Sequence, residues 1–365
     1  MSEWQTFCLK DLGKIVGGAT PSTNNPKNYG NKIAWITPKD LSTLQGRYIK
    51  KGSRSISRLG FKSCSCVLLP KHAILFSSRA PIGYVAIAKK RLCTNQGFKS
   101  IIPNKKIYFE FLYYLLKYHK DNISNIGGGT TFKEVSGATL GLFEVKIPPT
   151  YYEQQKIART LSILDQKIEN NHKINELLHT LAYKIYEYYF KYKPKNAKLE
   201  QIIIENPKSS IMVKNAQKTQ DKYPFFTSGD NILSYPIAII DGRNCFLNTG
   251  GNASIKFYVG KASYSTDTWC ICANEFSDYL YLLLSSIKNY INQSFFQGTS
   301  LKHLQKNLLK KYPIYMPSAH EIKKFNQIIM PLLTLISINT RTSKKLEQIR
   351  DFLLPLLLNQ QVKPE

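Results

Sequence analysis

Four turn sequences rich in hydrogen-bonding side chains occur in the first half of the chain and recur, in the same order, in the second half. The pairs are WITPKDL (35–41) with FFTSGDN (225–231), LFSSRAPIGYVAI (75–87) with FLNTGGNASIKFY (246–258), CTNQGFK (93–99) with YSTDTWC (264–270), and GGTTFKEV (128–135) with QGTSLKHL (297–304). Such side chains match the donors and acceptors of base edges and phosphates. Glycines let backbone N–H groups approach phosphate closely. The turns therefore favour hydrogen-bonded recognition of a nucleic acid.

The polar residues of these turns are the candidate DNA-contacting residues. In the first half they are Thr37, Lys39, Asp40, Ser77, Ser78, Arg79, Asn95, Gln96, Thr130, Thr131 and Lys133. In the second half they are Thr227, Asp230, Asn231, Asn248, Thr249, Asn252, Thr266, Asp267, Thr299, Ser300 and Lys302. Polar residues also fill turns for structural reasons, so a single turn is weak evidence. Four recurring pairs in a basic chain carry more weight.

The charge of the chain indicates a polyanionic partner. Its 51 Lys and Arg residues outnumber its 24 Asp and Glu residues and give a net charge of +27. Residues 1–150 hold 23 basic and 7 acidic side chains, and residues 194–316 hold 14 and 8. Such segments attract phosphate polyanions and gain affinity from counterion release. An AT-rich genome would explain the abundance of Lys and Asn but not this segregation.

Motifs for catalysis, metal binding or membrane insertion do not occur in the sequence. It has no GxxxxGK[ST] loop, no HExxH pair and no strand–GxG–helix unit. An amino-methyltransferase needs an Asn-Pro-Pro-aromatic turn, whereas the Asn-Pro pairs here continue with Lys27 and Lys208. Neither Cys64–Cys66 nor Cys270–Cys272 has further ligands at zinc spacing, and seven cysteines suit reduced thiols. We expect a cytoplasmic, non-catalytic chain without a membrane span, metal or cofactor of its own.

The elements that must position the turns are also duplicated. Gly129 and Gly298 are 169 residues apart, and the helical segment 109–123 aligns with 277–291 at a shift of 168. Apolar or alternating runs of strand length, bounded by Pro and Gly, precede the first helical segment. They include CSCVLLP (64–70) and AILFSS (73–78), and EVKIPP (144–149) follows as a last strand. We therefore predict two similar α+β domains, at residues 1–150 and 193–317.

Apolar residues spaced alternately by three and four predict a long helix after each domain, at residues 151–192 and 318–365. This coiled-coil seam comprises Ile157, Leu161, Leu164, Ile168, Asn171, Asn175, Leu178, Ala182, Ile185 and Tyr189 in the first helix, and Phe325, Ile329, Leu332, Ile336, Asn339, Ser343 and Leu346 in the second. Asn171 aligns with Asn339, and a seam Asn fixes register at a cost in stability. We expect the two helices to pack on each other as an antiparallel coiled coil.

The predicted helix pair has a defined length and one weak point. A helix of about 36 residues is roughly 54 Å long, a span of about 16 base pairs. Antiparallel packing would relate the two domains by a pseudo-twofold axis. The alternative is that each helix docks on its own domain. Pro331 predicts a kink, or a late helix start, near Met330.

The order of these motifs resembles the specificity subunit of type I restriction-modification systems. WITPKDL, FSSRAPIGYVAI, TNQGFKSI and GGGTTFKEVSGATL, followed by IPP and EQQKIARTLSILDQKIENN, are similar to the recognition-domain and spacer-helix patterns of that family. The likeness covers nearly the whole chain. It is looser in the second copy, where Ile322 and Lys323 stand in place of Gln154 and Gln155.

The resemblance implies two target-recognition domains that each read one half of a split site in double-stranded DNA. It also implies that the helices set the gap and dock two methyltransferase subunits, which would bind S-adenosylmethionine. Separate restriction and translocase subunits would join for cleavage. One alternative is a single-chain DNA methyltransferase or nuclease with an unrecognised motif. Another is a DNA-binding regulator without a methyltransferase partner.

Overall fold

The chain is described here by a computed structural model that covers residues 3–129, 133–216 and 222–364. These residues form two compact units. The first is drawn from residues 1–170 and 344–365, and the second from residues 171–343. Each unit combines a domain of strands and short helices with part of each long helix. The boundaries between the two compact units fall within the two long helices. The predicted domain boundaries lie instead at the ends of these helices.

The strands of the first unit form a main sheet and two smaller ones. They are β1 (Gln5–Cys8), β2 (Gly13–Gly17), β3 (Tyr29–Ile36), β4 (Tyr48–Ile49), β5 (Arg54–Ile56), β6 (Ile74–Ser78), β7 (Ile82–Ala88), β8 (Cys93–Thr94), β9 (Lys99–Pro103) and β10 (Glu144–Ile147). The main sheet has the order β2-β9-β6-β7-β4, and the smaller sheets are β5-β3-β8 and β1-β10. β3 and β8 pair in parallel, so the turns that follow these strands leave at the same edge.

The helices of the first unit include the predicted helical segment. They are α1 (Leu9–Leu12), α2 (Pro38–Ser42), α3 (Arg58–Lys62), α4 (Phe109–Tyr118), α5 (Lys120–Asn125), α6 (Gly137–Leu142) and α7 (Tyr151–Tyr186), which continues into the second unit, together with a 3-10 turn at Pro26–Asn28. The predicted strand at 64–70 is wrong: the segment pairs through a bridge between Leu69 and Leu92. Cys66 packs with Trp35 and Cys93 in a small separate core, so the segment does not extend a sheet.

The second unit repeats this arrangement. Its strands are β11 (Ala197–Lys198), β12 (Ile204–Glu205), β13 (Tyr223–Phe226), β14 (Leu233–Tyr235), β15 (Arg243–Asn248), β16 (Ile255–Val259), β17 (Ser263–Tyr264), β18 (Thr268–Cys272), β19 (Phe296–Gln297), β20 (His303–Leu304) and β21 (Pro313–Ile314). Its helices are α8 (Val213–Ala216), α9 (Ser277–Ser286), α10 (Lys288–Ser294), α11 (Lys306–Lys310) and the long α12 (Ala319–Leu358), with 3-10 turns at Leu199–Gln201 and Asn274–Phe276 and a π-turn at Glu187–Lys191. β13 and β17 pair in parallel, as β3 and β8 do.

Both long helices begin at a capping box that the sequence repeats. Thr150 Oγ1 accepts a hydrogen bond from the N–H of Glu153 at 3.2 Å, and Ser318 Oγ accepts one from the N–H of Glu321 at 3.3 Å. The Thr150 hydroxyl donates to the Glu153 carboxylate at 2.9 Å, and the Ser318 N–H donates to the Glu321 carboxylate at 2.9 Å, so each carboxylate at the third helical position accepts a hydrogen bond from its cap. Local sequence therefore fixes where each long helix starts.

The proline in the second long helix does not delay its start. α12 is helical from Ala319 through Pro331 to Leu358, so the predicted late start near Met330 is wrong. Proline in a helix interior costs about 3 kcal/mol. The flanking Ile329 and Leu333 are fully buried, and burial of one such side chain stabilises by about 1.5–3 kcal/mol. Tertiary packing therefore outweighs the hydrogen bond that the proline removes.

The long helices run antiparallel, as predicted for a coiled coil. In the second unit, Asn339 Nδ2 donates to Asn175 Oδ1 at 2.9 Å, and Asn171 Nδ2 donates to Ser343 Oγ at 3.2 Å. The shift of 168 carries Asn171 onto Asn339 and Asn175 onto Ser343, so the two contacts are repeat-equivalents. Asn171 and Asn339 are repeat-equivalents but do not bond each other. Each bonds the residue one helical turn beyond its equivalent: Asn171 bonds Ser343, and Asn339 bonds Asn175.

The helices also share a core with the domain of each unit. In the first unit, Leu161 of α7 and Leu357 of α12 pack in one core with Leu112 of α4. In the second unit, Phe325 and Ile329 of α12 belong to the core that contains Tyr279 of α9. Of the predicted seam residues, Ile157, Leu161, Ile168, Phe325, Ile329, Ile336 and Ser343 are buried, and Leu164, Asn171, Asn175, Leu178, Leu332, Asn339 and Leu346 are partly buried. The two predicted alternatives, helix on helix and helix on domain, therefore occur together.

A buried carboxylate, Asp165 of α7, joins the elements of the first unit. Its Oδ2 accepts from the Tyr114 hydroxyl at 2.6 Å, and its Oδ1 accepts from Arg350 Nη1 of α12 at 2.7 Å. Arg47 lies 3.9 Å from Asp165 and donates from Nε to Glu169 of α7 at 3.2 Å. Only 4% of Asp165 and 3% of Arg47 are exposed. The charge network therefore holds the domain against both long helices within this unit.

In the second unit an arginine also holds the domain against a long helix, but it does so through different partners. Arg243 donates to both carboxylate oxygens of Asp278 at the start of α9. It also donates to Thr334 Oγ1 at 3.0 Å and to the Met330 carbonyl at 3.2 Å, both on α12. Burial raises the pKa of Asp278, although the bonds from Arg243 oppose that rise. Asp278 is the repeat-equivalent of Glu110, which binds Arg47 at 3.1 Å in the first unit.

The length and apolar character of the described helices decide whether any of them could span a membrane. Within residues 3–129, 133–216 and 222–364, no helix has both the length and the apolar character needed to cross a bilayer.

Asp165→Ala should destabilise the first unit strongly. Arg47, Arg350 and Tyr114 would lose a buried partner, and removing one member of a buried ion pair costs about 3–5 kcal/mol. The free energy of unfolding, measured by urea denaturation, should fall by that amount. Asp351→Ala is the matched control, since Asp351 binds the same Arg350 at 2.8 Å from a side chain that is 58% exposed and should cost less than about 1 kcal/mol. Equal losses in the two variants would contradict the assignment.

Candidate nucleic-acid interface

The four polar turns of the first unit meet at one place. We name them turns one to four of the first unit: 37–40, 77–82, 94–98 and 127–135. Asn95 N–H donates to the Ile36 carbonyl at 2.9 Å and joins turn three to turn one. Ser78 N–H donates to the Gly97 carbonyl at 2.8 Å, and Val135 N–H donates to the Ser78 carbonyl at 3.0 Å. Turn two is thereby joined to turns three and four.

The second unit brings its four turns together in the same order. They are 227–231, 248–254, 265–267 and 297–304. Ser265 N–H donates to the Phe226 carbonyl at 2.9 Å, which joins turn three to turn one. Thr249 N–H donates to the Asp267 carbonyl at 3.1 Å, and Leu304 N–H donates to the Thr249 carbonyl at 2.9 Å. Residues up to 98 positions apart in the first unit and up to 77 in the second thus form one polar surface in each unit.

The predicted contact residues divide into two groups by exposure. The exposed group can meet a ligand without rearrangement and comprises Lys39, Gln96, Lys133, Asp230, Asn231, Asn252, Asp267, Thr299, Ser300 and Lys302. Arg79 joins this group, because 37% of its side chain is exposed. Thr130 and Thr131 lie outside the described residues. Each unit therefore presents several exposed donors and acceptors at its converged turns.

The remaining residues of the first unit shape the turns from inside. Ser77 and Ser78 are fully buried, and Ser77 Oγ accepts from Tyr84 N–H and donates to the Pro81 carbonyl, each at 2.8 Å. Asp40 accepts from the N–H and hydroxyl of Thr37, each at 2.8 Å, and from Ser53 N–H at 2.7 Å. Burial opposes this, but these hydrogen bonds dominate and lower the pKa of Asp40. Asn95 Oδ1 accepts from Gly97 N–H at 3.0 Å.

The second unit has a matching internal group. Asn248 is 5% exposed, donates to the Gly250 carbonyl at 2.9 Å and accepts from Ser254 N–H at 2.6 Å. The buried Thr227 accepts from Gly229 N–H at 3.1 Å, and Thr249 donates to the Asp267 carbonyl at 3.1 Å. Thr266 is half-buried. These side chains hold the turns in shape, so the prediction of direct contact with DNA concerns the exposed group.

Sequence reasoning missed the charged pairs that flank the turns. Arg79 Nη1 lies 3.3 Å from Glu134, and Lys99 Nζ lies 3.1 Å from the same carboxylate. In the second unit, Lys256 Nζ donates to the Thr227 carbonyl at 2.8 Å, and burial lowers the pKa of this lysine. Lys99, Glu134 and Lys256 all stand within the recurring turn sequences. Their presence in these sequences was the signal that could have identified them, but only the folded structure shows which charged groups are in contact.

The described side chains do not assemble a metal site. No group of three or more His, Cys, Asp and Glu residues is placed to hold an ion among them, and the seven cysteines are free thiols. Cys66 and Cys270 are buried, whereas Cys64 and Cys272 are only partly buried. The two thiols of each pair therefore differ in burial, and neither pair lies entirely in the core.

Comparison with known proteins gives a consistent family. The family model described as "Type I restriction modification DNA specificity domain" matches residues 1–180 and 192–348. The chain is 33% identical to the type I restriction enzyme MjaIX specificity subunit of Methanocaldococcus jannaschii, over 98% of this chain and 93% of that protein. It is 23% identical to a putative type I specificity subunit of Mycoplasma genitalium, over 84% of this chain and 80% of that one.

A solved structure shares the fold. The crystal structure of a type I restriction-modification S subunit from M. genitalium matches with a TM-score of 0.63 at 18% sequence identity. The match covers 97% of this chain and 96% of that chain. Together with two matched domains and a relative that is 33% identical over nearly the whole length, this shows that the chain belongs to the family of DNA specificity subunits of type I restriction-modification systems.

Proposed function

We propose that the converged turns of each unit read one half of a bipartite site in double-stranded DNA. The observation that carries this proposal is the meeting of four turns, far apart in sequence, at one polar surface in each unit. Arg79 and Gln96 in the first unit, and Asn252 and Asp267 in the second, are suited to base edges, whereas the exposed Lys39, Lys133 and Lys302 are suited to phosphates. The net charge of +27 favours association with DNA.

The two surfaces carry different side chains and should therefore read different sequences. Turn three exposes Gln96 in the first unit but Asp267 in the second. An Asn or Gln amide pairs with adenine, while an Asp carboxylate accepts from the amino group of cytosine. The preferred half-sites are thus expected to differ, and the complete site is expected to be asymmetric.

The long helices supply the second part of the proposed function. They set the gap between half-sites and dock two methyltransferase subunits, which carry S-adenosylmethionine and perform the methyl transfer. Restriction and translocase subunits join the same complex in the cytoplasm. This chain is a specificity subunit and contributes recognition, not catalysis. Methylation-sensitive sequencing of a host with and without this chain should show one bipartite methylated site that depends on it.

An exposed apolar stripe supports the docking role of the helices. In the second unit, Ile174, Leu177 and Leu181 of α7 are 43%, 70% and 47% exposed. Their spacing of three and four residues places them on one helix face. On α12 of the same unit, Ile328, Leu335 and Ile338 are each more than 40% exposed. Apolar stripes of this kind favour burial by a partner helix.

Leu177→Asp should weaken assembly with the methyltransferase subunit without unfolding this chain. Leu177 is 70% exposed, so its replacement leaves the core unchanged but places a charge in the proposed interface. Size-exclusion chromatography of the mixed subunits should show at least a tenfold weaker association. Lys173→Asp, at an exposed residue of the same helix, is the control for added charge. If the Leu177 variant assembles fully, this stripe is not part of the interface.

The two surfaces should be separable by mutation. Arg79→Ala with Gln96→Ala should relax recognition of one half-site, and Asn252→Ala with Asp267→Ala should relax the other. Loss of a base-edge contact costs about 1–3 kcal/mol at that base, which binding assays with single-base-pair changes in each half-site would measure. Each double variant is the control for the other. A uniform loss on every DNA sequence would instead identify these side chains as phosphate contacts.

Insertion of four residues beside Asn171 should lengthen the preferred gap. Four helical residues add about 6 Å and rotate the helix by roughly 40°, and they act as a stutter in the heptad pattern. The contacts of Asn171 with Ser343 and of Asn175 with Asn339 would lose register, so stability should also fall. Selection from a pool of DNA with varied gaps would report the change. A folded variant that keeps the original gap would show that the helices do not set the spacing.

A further inference from the structure

A strongly basic part of the first unit lies beyond the turns described above. Between Asp40 and Glu110 the sequence has fourteen Lys and Arg residues and no Asp or Glu. Eleven of these cations are exposed, and we name six of them, which neighbouring segments bring to one end of the main sheet, the cationic track: Lys50, Lys51, Lys71, Lys89, Lys90 and Arg91. Such a run of one charge on the surface is self-repulsive unless an anion approaches it.

Strand pairing brings the six residues together. Lys89 N–H donates to the Ile49 carbonyl at 2.9 Å, which places Lys50 and Lys51 beside Lys89 at the end of β7. His72 N–H donates to the Ala88 carbonyl at 2.8 Å, which brings Lys71 to the same end. Three segments of the chain thus deliver their cations to one end of the main sheet.

The track is continuous with the proposed DNA-reading surface. Ser53, two residues after Lys51, donates its N–H to Asp40 of turn one at 2.7 Å. Turn two lies at the opposite end of the β6–β7 hairpin from Lys71 and Lys89. The strands rise about 3.3 Å per residue, so the four steps of β6 from Ile74 to Ser78 span about 13 Å. The track therefore begins beside turn one and lies about 13 Å from turn two along the hairpin.

The cations of the track have no carboxylate partners. Other basic residues of this region do: Arg47 binds Glu110 and Glu169, and Arg79 and Lys99 bind Glu134. Within the described part of the chain, no carboxylate oxygen lies within 4.0 Å of the six track cations. Their charge is therefore available to a ligand.

The second unit lacks this feature at the corresponding end of its sheet. There β16 is followed by Gly260 and Lys261, and β15 is preceded by Asp241 and Gly242. Asp241 and Lys261 are both exposed and bring one acidic and one basic charge in place of six basic ones. The track is thus a property of the first unit and accounts for much of the charge excess of residues 1–150.

We propose that the cationic track binds the sugar-phosphate backbone of duplex DNA adjoining the half-site read by the first unit. A separation of about 13 Å between turn two and the track corresponds to about four base pairs. Five of the six cations are lysines, which are depleted at protein–protein interfaces and bind phosphates as point charges. The large apolar side chains exposed between residues 41 and 109 are Leu59 and Val67, neither of them in the track. The proposal rests on the DNA-reading function of the first unit and adds flanking, sequence-independent contacts to it.

The test uses the full-length chain assembled with its methyltransferase subunits. Lys89→Ala, Lys90→Ala and Arg91→Ala are combined, and Lys167→Ala, Lys344→Ala and Lys345→Ala, at exposed residues of the long helices, are combined as a control of equal charge change. Affinity is measured from 50 to 200 mM salt on duplexes extended on one side or the other of the first half-site. The track variant should lose about 2–3 in the slope of log K against log salt, at about 0.9 per phosphate contact. Its discrimination between matched and mismatched half-sites should stay at the wild-type value.

The possible outcomes distinguish failure of the track proposal from failure of the proposed DNA-reading function. A slope equal to that of the control would overturn the track while leaving DNA reading intact. Loss of subunit association with an unchanged slope would identify an acidic protein surface as the occupant instead. An equal loss on duplexes with and without the flank would place these cations at the half-site itself and would also overturn the proposal. A wild-type assembly with no sequence preference on DNA would overturn the proposed function first.

Discussion

The carboxylate of Asp165 imposes the constraint on which the architecture of the first unit depends. A charge removed from water must be matched by partners at short distance, because desolvation of an isolated ion is far more costly than any single contact can offset. Tyr114 and Arg47 come from the domain and Arg350 comes from the far end of the chain. One residue of α7 therefore specifies at once how the domain and α12 must lie on that helix. Apolar contacts alone would tolerate sliding along the seam, whereas directed bonds to a buried carboxylate do not.

In the second unit a different set of residues pairs with a buried carboxylate. Arg243 bonds Asp278 of the domain and reaches the α12 backbone and the Thr334 hydroxyl. In both units an arginine from the domain therefore ties a carboxylate near the start of a domain helix to a long helix. The fork of the guanidinium suits this role, because its donors can serve several acceptors in fixed directions. The duplicated fold thus kept the type of contact while the residues that make it changed.

Rigid placement of the turns follows from the sheets. In each unit a parallel strand pair sends turns one and three out at one edge, and backbone hydrogen bonds attach turns two and four to them. Buried polar side chains such as Ser77 and Asn248 then hold the turn backbones, which leaves the exposed side chains free to differ between units. This division separates the residues that maintain the surface from those that are proposed to recognise DNA. It lets a recognition surface change without loss of its supporting shape.

The sequence by itself determined the duplicated α+β domains, the antiparallel helix pair and the starts of the long helices. These follow from local signals, namely the repeat of about 168 residues, the alternation of three and four, and the Thr150 and Ser318 capping boxes. The tertiary structure alone decided that Ser78 is buried while Gln96 is exposed, although both stand in similar polar turns. It also decided that α12 continues through Pro331, and that Asp165 meets Arg47 and Arg350. Periodicity reports only which face of an element is apolar, whereas the burial of a polar group depends on partners that lie more than a hundred residues away.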